Sequence, residues 1–347
     1  MKKMNRLFFA ILSCSIFLAS CSDDNSVDEG EVSLGQYEDG VFVLNEGNSN
    51  ISSATVSFMS YDGALENDVY TNVNPNSPKM GTYLQCMFFD DTRAFIISGQ
   101  ANKITVVDRY TFKFIANVDT NFTNPRYGTV ANGKAYVTNA GADWSSASDD
   151  FLTAINLSDY STSKIAIGNW CEKITEENGK VYIFNGYYGD GSSVSVLNPN
   201  SNTVEKVIEL GFSPTSFEEE NETLYVLGSG KLAKINLANN TLLGTPMAIT
   251  AESKDIAVEG NKIYYTVGNA VYEMPLNAVA APASPLFSYS TTSQDGVMYG
   301  FAVKGDKIYI ADAGNFSSSS HVYTYSLAGS LLKSTIVGVG PNGFYFN

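Results

Sequence analysis

The chain has 347 residues, 44 % of them apolar, with a formal net charge of −15, one His and four Cys. That acidity argues against nucleic acid as a partner and against adhesion to anionic lipid. One His and no clustered Cys argue against a zinc centre, and these Cys separations specify no disulfide framework.

Met1 to Ser20 stands apart from the fold. Lys2, Lys3 and Arg6 form a basic head, and Leu7 to Ala19 is an apolar run too short to span a membrane comfortably. The run ends in Leu18-Ala19-Ser20-Cys21, which resembles a bacterial lipobox. The resemblance implies cleavage before Cys21 and lipidation of its sulfur. Ser22-Asp23-Asp24-Asn25 follows, and its acidic pair resembles the export signal of Bacteroidetes surface lipoproteins. Residues 21–40 are polar and read as a flexible tether. The expected location is the outer membrane, on the cell surface, held through the lipid anchor only.

From residue 41 one phrase recurs. Val41-Phe42-Val43-Leu44-Asn45 is a short apolar run with an aromatic second residue, bounded by turn residues, and this pattern reads as a β-strand. Its aromatic recurs at Phe95, Tyr136, Tyr182, Tyr225, Tyr264 and Tyr309. Seven copies spaced by roughly 40 to 50 residues predict a seven-bladed β-propeller over residues 41–347. Each repeat divides into four strands. In the third they are Pro125 to Val130, Lys134 to Asn139, Phe151 to Asn156 and Thr162 to Ile167. The first repeat lacks a strand before Val41, and the C-terminus has a spare one in Gly343-Phe344-Tyr345-Phe346. Closing the ring with that strand hides two open edges. Cys86 and Cys171 each sit in an apolar run and are expected to be buried free thiols.

Lys134-Ala135-Tyr136-Val137-Thr138-Asn139-Ala140-Gly141, with Ala154-Ile155-Asn156 and Ile165-Ala166-Ile167-Gly168, resembles the YVTN-repeat propellers, also called YncE-like. The opening Val41 to Asn48 is similar to their lipoprotein branch in gut Bacteroidetes. That resemblance implies capture of a small molecule, with a corrinoid such as cobalamin as the first expectation. It also implies delivery to a TonB-dependent outer-membrane transporter.

Enzymatic motifs are not evident. There is no G-x-S-x-G elbow, no H-E-x-x-H and no P-loop. His321 has no evident nucleophile or orienting partner. Asp143, Asp149, Asp150 and Asp190 lie in Gly- and Ser-rich stretches whose spacing matches no calcium loop, and they read as solvated loop residues. Binding without catalysis, cofactor or metal is the expectation.

The loops carry the functional signal. Turns between first and second strands are short, such as Asn132-Gly133, Asn178-Gly179 and Gly305-Asp306. Connections at residues 45–53, 139–150, 185–193 and 312–320 are long and share the opposite face with the links between blades. These loops hold Trp144, Tyr187, Tyr188, Phe316 and Phe122 among many Asn, Ser and Gly, a mixture that suits a polar organic ligand. Packing of the loops on one another is the competing reading.

Tyr83, Arg126, Tyr127, Trp170 and Tyr299 stand near the starts of innermost strands and so near the channel mouth. Arg126 is the last Arg of the chain and suits either an anionic or amide group of a ligand or a neighbouring carboxylate. Asn45, Asn139, Asn185 and Asp312 share one position at the end of the second strand. They are expected to bond the backbone of the departing loop, the alternative being a polar ring around a central ligand. The chief alternatives to small-molecule capture are a glycan- or protein-binding surface module and a hydrolase or lyase with paired carboxylates.

Overall fold

Runs rich in Val, Ile and Tyr, bounded by Asn-Gly and Asp-containing turns, form short antiparallel strands throughout. The computed structural model describes residues 33–50, 53–291 and 298–347, and residues 34–347 form one folded unit. The signal segment, Cys21 and the tether as far as residue 32 lie outside the described residues.

The strands make seven antiparallel sheets, six of four strands and one of five, which are the blades of a seven-bladed propeller. Blade three has Pro125–Ala131, Lys134–Asn139, Phe151–Asn156 and Thr162–Ala166 from inside to outside. Blade five differs because Thr241–Leu242 and Met247–Ala248 both pair with Lys231–Asn236, so its outer strand is split. Second strands are the most buried elements. Gly40–Asn45 has no exposed residue, since it is covered on both faces by neighbouring blades.

Pro341–Phe346 pairs with Gly40–Asn45, placing Phe42 opposite Tyr345 and Val43 opposite Phe344. The last strand of the chain is therefore the innermost strand of blade one. It packs between the inner strands of blades seven and two, and Phe344 and Phe346 sit against Tyr309.

The core lies between blades. Tyr136, Leu152 and Ala154 of blade three meet Cys171, Ile174, Val181 and Ile183 of blade four. Burying each large side chain there contributes about 1.5–3 kcal/mol. Cys86 and Cys171 are buried free thiols, and burial raises the pKa of both, Cys86 to about 11. Gly128 is required by a close approach, because a Cβ there would meet the ring of Phe88 at 2.2 Å.

Three elements differ from the sequence reading. The folded unit reaches back to Leu34, because Tyr37 is 1 % exposed against Phe42, Phe58 and Phe112, so the tether stops short of residue 40. The link after blade one contains a short helix, Val69–Val73, which buries Val69 and Tyr70. The expected loop at residues 185–193 is a hairpin, with strands Lys180–Tyr187 and Asp190–Asn198 joined by Tyr188-Gly189.

Candidate functional site

Inner strands share an irregularity at one place. In blade two Leu84 pairs with Ser98 and Cys86 with Ile97, leaving Gln85 as an extra residue. In blade seven Tyr299 is extra between Met298 and Gly300, and in blade one Asn342 is extra between Pro341 and Gly343. Blades three and six place two residues, Arg126-Tyr127 and Lys254-Asp255, opposite one. In these two the hydroxyl of Thr138 or Thr266 accepts from the freed backbone N–H of Tyr127 or Asp255, at 2.9 and 3.1 Å. A bulge bends the strand and re-aims a side chain. Backbone bonds just before the paired strands, Glu172 N–H to the Phe184 carbonyl and Thr215 N–H to the Leu227 carbonyl, put Glu172 and Thr215 at the same position in blades four and five. One residue per blade therefore forms a ring where the inner strands begin: Asn342, Gln85, Arg126, Glu172, Thr215, Lys254 and Tyr299.

The ring is connected from blade to blade. Arg126 donates from Nε and Nη2 to the two carboxylate oxygens of Glu172 at 2.9 and 2.7 Å, and from Nη1 to Gln85 Oε1 at 2.7 Å. Gln85 Nε2 donates to Tyr127 Oη at 3.1 Å. On the other side Tyr299 Oη donates to Glu46 Oε2 at 2.6 Å. Burial opposes the charge on Arg126, but the carboxylate of Glu172 more than offsets this and raises its pKa. Burial raises the pKa of Glu46, against the Tyr299 hydrogen bond and the Arg126 charge.

A cavity of about 260 Å³ opens over blades one to three. Its lining joins Glu46, Tyr83, Gln85, Gln100, Arg126 and Trp144. Aromatic groups flank it on both sides. Trp170 stacks on Tyr187 with centroids 5.5 Å apart, and Tyr187 contacts Trp144 at 5.8 Å and Tyr188 at 4.6 Å. Opposite, Phe316 meets Tyr299 edge-on at 5.0 Å. Arg126 lies 5.9 Å from the Trp144 ring. Burial pushes the Tyr187 hydroxyl up to about 12 and also raises that of Tyr299.

Tyr83, Arg126, Trp144, Trp170, Tyr187, Tyr188, Tyr299 and Phe316 thus gather around one mouth. Tyr127 does not join them at the rim. It is part of the packing between blades, and burial raises its pKa. Phe122 likewise packs on the core. His321 stacks on Tyr323 in the third strand of blade seven. Asn45, Asn139 and Asn185 are buried staples. Asn139 donates to Thr153 Oγ1 and accepts from Thr123 N–H, and Asn185 accepts from Ser195 Oγ. Asp312 accepts from Gly314 N–H in the departing loop.

Asp150 is not a solvated loop residue. It is 4 % exposed and accepts from Cys171 N–H, and burial pushes its pKa up to about 6. Among the described residues no group of three or more His, Cys, Asp or Glu is placed to hold a metal ion.

Glu46, Gln85, Glu172 and Lys254 were not among the sequence candidates. For Gln85, Glu172 and Lys254 the available signal was their offset from the second strand, which Arg126 and Tyr299 share; Glu46 directly follows the second strand of blade one and gave no such signal.

The sequence profile of the DUF5074 family, described as a domain of unknown function, matches residues 39–346. The chain belongs to that family. Among solved structures, this DUF5074 propeller resembles a quinoprotein alcohol dehydrogenase-like protein from Bacteroides thetaiotaomicron. The identity is 17 % and the TM-score 0.69, over 89 % of this chain and 78 % of the other. A functionally unknown protein from Desulfotomaculum acetoxidans matches at 13 % identity and TM-score 0.66, over 89 % and 99 % of the two chains. BamB from Moraxella catarrhalis matches at 13 % and 0.55, over 89 % and 86 %. At these identities the likeness is one of fold. A search of the curated proteins finds no match.

Proposed function

We propose that this DUF5074 propeller is a surface-exposed outer-membrane lipoprotein that captures a polar organic molecule at the long-loop mouth. The first candidate is a corrinoid such as cobalamin, passed on to a TonB-dependent transporter. One observation carries the reading: aromatic side chains from separate loops and links converge with oriented amide and charged groups around a single cavity. Aromatic and charged anchors of this kind supply most of the affinity at binding sites.

The cavity of about 260 Å³ is smaller than most ligand pockets, so it takes a projecting group such as an amide. The remaining body of the ligand lies on Trp144 and Tyr188, which are 43 % and 90 % exposed. Binding rather than catalysis fits the way Arg126 is already engaged by Glu172 and Gln85. The lipobox-like Leu18 to Cys21 supplies the location, and the likeness of Val41 to Asn48 to the lipoprotein branch supplies the corrinoid expectation. Exposed aromatics also suit sugar faces, which makes glycan binding without transport the second reading.

The only two Trp of the chain both lie at this mouth, so intrinsic fluorescence reports on it directly. Titration with cobalamin, cobinamide and a glycan panel should give a Trp response to the corrinoids, and Trp144→Ala should weaken it by about 1–3 kcal/mol. A response to glycans alone sinks the corrinoid reading. Affinity unchanged in Trp144→Ala, measured by calorimetry, sinks the mouth. For the anchor, Cys21→Ser should release the protein from membranes. Retention of that variant in high salt would overturn the lipoprotein reading.

A further inference from the structure

The ring at the mouth holds two cations, and their surroundings differ. Arg126 in blade three is already in a bidentate ion pair, with both oxygens of Glu172 and the Gln85 carbonyl accepting from three of its N–H groups. The Glu172 carboxylate neutralises its charge, so it gains less from an incoming anion than a cation without a counter-charge. Lys254 occupies the same position in blade six, three blades around a ring of seven and so nearly across the opening. Its Nζ lies 3.5 Å from the Met298 carbonyl and 5.2 Å from the centroid of Tyr299. Among the described residues no carboxylate forms an ion pair with it, while its neighbour Asp255 lies 4.0 Å from Lys173. The strand bearing Lys254 is fixed, since Thr215 Oγ1, the ring residue of blade five, donates to the Lys254 carbonyl at 3.2 Å. The ring of Tyr299 holds the ammonium on the mouth side by cation–π attraction, and the Tyr299 hydroxyl is engaged by Glu46.

We infer that Lys254 is the docking point for an anionic group, a carboxylate or a phosphate ester, on the molecule taken up at this mouth. The inference rests on the capture reading and favours, within it, ligands that carry a carboxylate or phosphate group, so that cobalamin with its phosphodiester should bind more tightly than cobinamide. Lys254 is exposed at the rim, and a cation without a counter-charge gains more from an incoming anion than one already in a bidentate pair. The polar ends of the ligand are then assigned: a neutral hydrogen-bonding group beside Gln85 and Gln100, the anion at Lys254, and the apolar body on the aromatics between them.

The test uses phenyl phosphate, benzoate and benzamide, compounds of similar size that differ in charge, with inorganic phosphate as competitor. Wild-type protein should bind at least one of the two anions about tenfold more tightly than benzamide. Comparison of the two anions identifies the preferred group, and competition by inorganic phosphate shows whether the anion alone suffices. Lys254→Met should remove the preference, and Lys254→Arg should keep it. The idea is overturned if Lys254→Met retains the preference, or if neither anion binds at millimolar concentration. Trp144→Ala separates the two claims, since it should weaken all three compounds alike. A normal Trp144→Ala variant beside a Lys254→Met defect removes the aromatic half of the capture reading and leaves the anion site standing.

Discussion

Blade four has a two-residue turn on each face of the disc. Asn178-Gly179 joins its first two strands, with φ of 53° and 74°; Tyr188-Gly189 joins its second and third, with φ of 44° and 100°. Both turns need left-handed backbone at two successive residues, the geometry that favours Asn-Gly. Only the first has the residues that geometry asks for. Asn132-Gly133, on the same face as Asn178, repeats the match. A Tyr in the left-handed region is strained by about 1–2 kcal/mol. Phe112 also has positive φ, but it is fully buried and held by packing. Tyr188 is 90 % exposed, and Tyr187 is its ring partner. In blade four turn chemistry chooses the residue on one face, and on the other the choice follows what the side chain presents to solvent.

Both faces depend on the closed ring, so the largest prediction abolishes the comparison altogether. Deleting residues 343–347 removes most of the inner strand of blade one, the contacts of Phe344 and Phe346 with Tyr309, and the hydrogen bonds from Asn347 Nδ2 to Tyr37 and Arg109. Losing a fully buried aromatic costs about 3–5 kcal/mol, and here two half-buried ones go together with the strand that carries them. The truncated protein should melt far below the parent or fail to fold. A melting curve like that of the parent would mean that the ring closes without this strand.

The next change acts on the long-loop face alone. Arg126→Ala leaves the Glu172 carboxylate and the Gln85 carbonyl without their shared partner in a largely buried setting, where the side chains of the ion pair are 17 % and 16 % exposed. Breaking such a pair from one side destabilises by about 3 kcal/mol. Adding Glu172→Gln should recover part of that loss, because the uncompensated charge goes with it. Asp306→Ala, in a short turn, should stay within about 0.5 kcal/mol of wild type. Denaturant unfolding of the four proteins checks the order, and equal losses in Arg126→Ala and Asp306→Ala would contradict it.

How much of this was legible depends on the range of the interaction. Lys134–Asn139 and Phe151–Asn156 could be read to the residue because alternation and flanking turns are local signals. The C-terminal closure was legible because a missing strand and a spare strand imply one another. The hairpin around Tyr188 was hidden by composition, since Gly186, Gly189 and Gly191 make that stretch look like a loop. Tyr37 was hidden in a polar context. The ring at the mouth was legible in part: Arg126 and Tyr299 were placed at the channel mouth by their position near strand starts, but their partners were not, because a bulge is a property of pairing and Arg126 meets Glu172 from 46 residues away.

The central channel toward the short-turn face offers a subtler contrast through pH. Burial pushes the pKa of Glu218 from its ordinary 4.5 up to about 7, against the nearby charges of Lys173 and Lys304 and with those of Glu177 and Glu219. Burial and Glu219 likewise push Glu177 up to about 7. A carboxyl with a higher pKa in the folded state holds its proton more tightly when folded. Its stabilising effect is complete below about pH 4.5 and is lost as pH rises through 7. Melting temperature should therefore fall between pH 5 and pH 8, and Glu218→Gln and Glu177→Gln should each make the fall shallower. An unchanged slope in both variants would show that these groups are not its source.

The smallest expected effect tests the opening contrast most directly. Tyr188→Asn gives the long-loop turn of blade four the same residues as its Asn178-Gly179 turn. If Tyr188 is strained for the sake of its exposed ring, the variant should gain about 0.5–1 kcal/mol of stability through relief of left-handed strain, because almost no packing is lost at a residue this exposed. The same variant should bind whatever the mouth captures about 1 kcal/mol more weakly, because an aromatic surface is removed. The two measurements need opposite signs. A gain in stability with unchanged binding would make Tyr188 a bystander to the site, and the functional account of the contrast would lose its main support. A loss of stability would mean that the contact with Tyr187 outweighs the backbone strain, and the turn would then be governed by packing, as at Phe112.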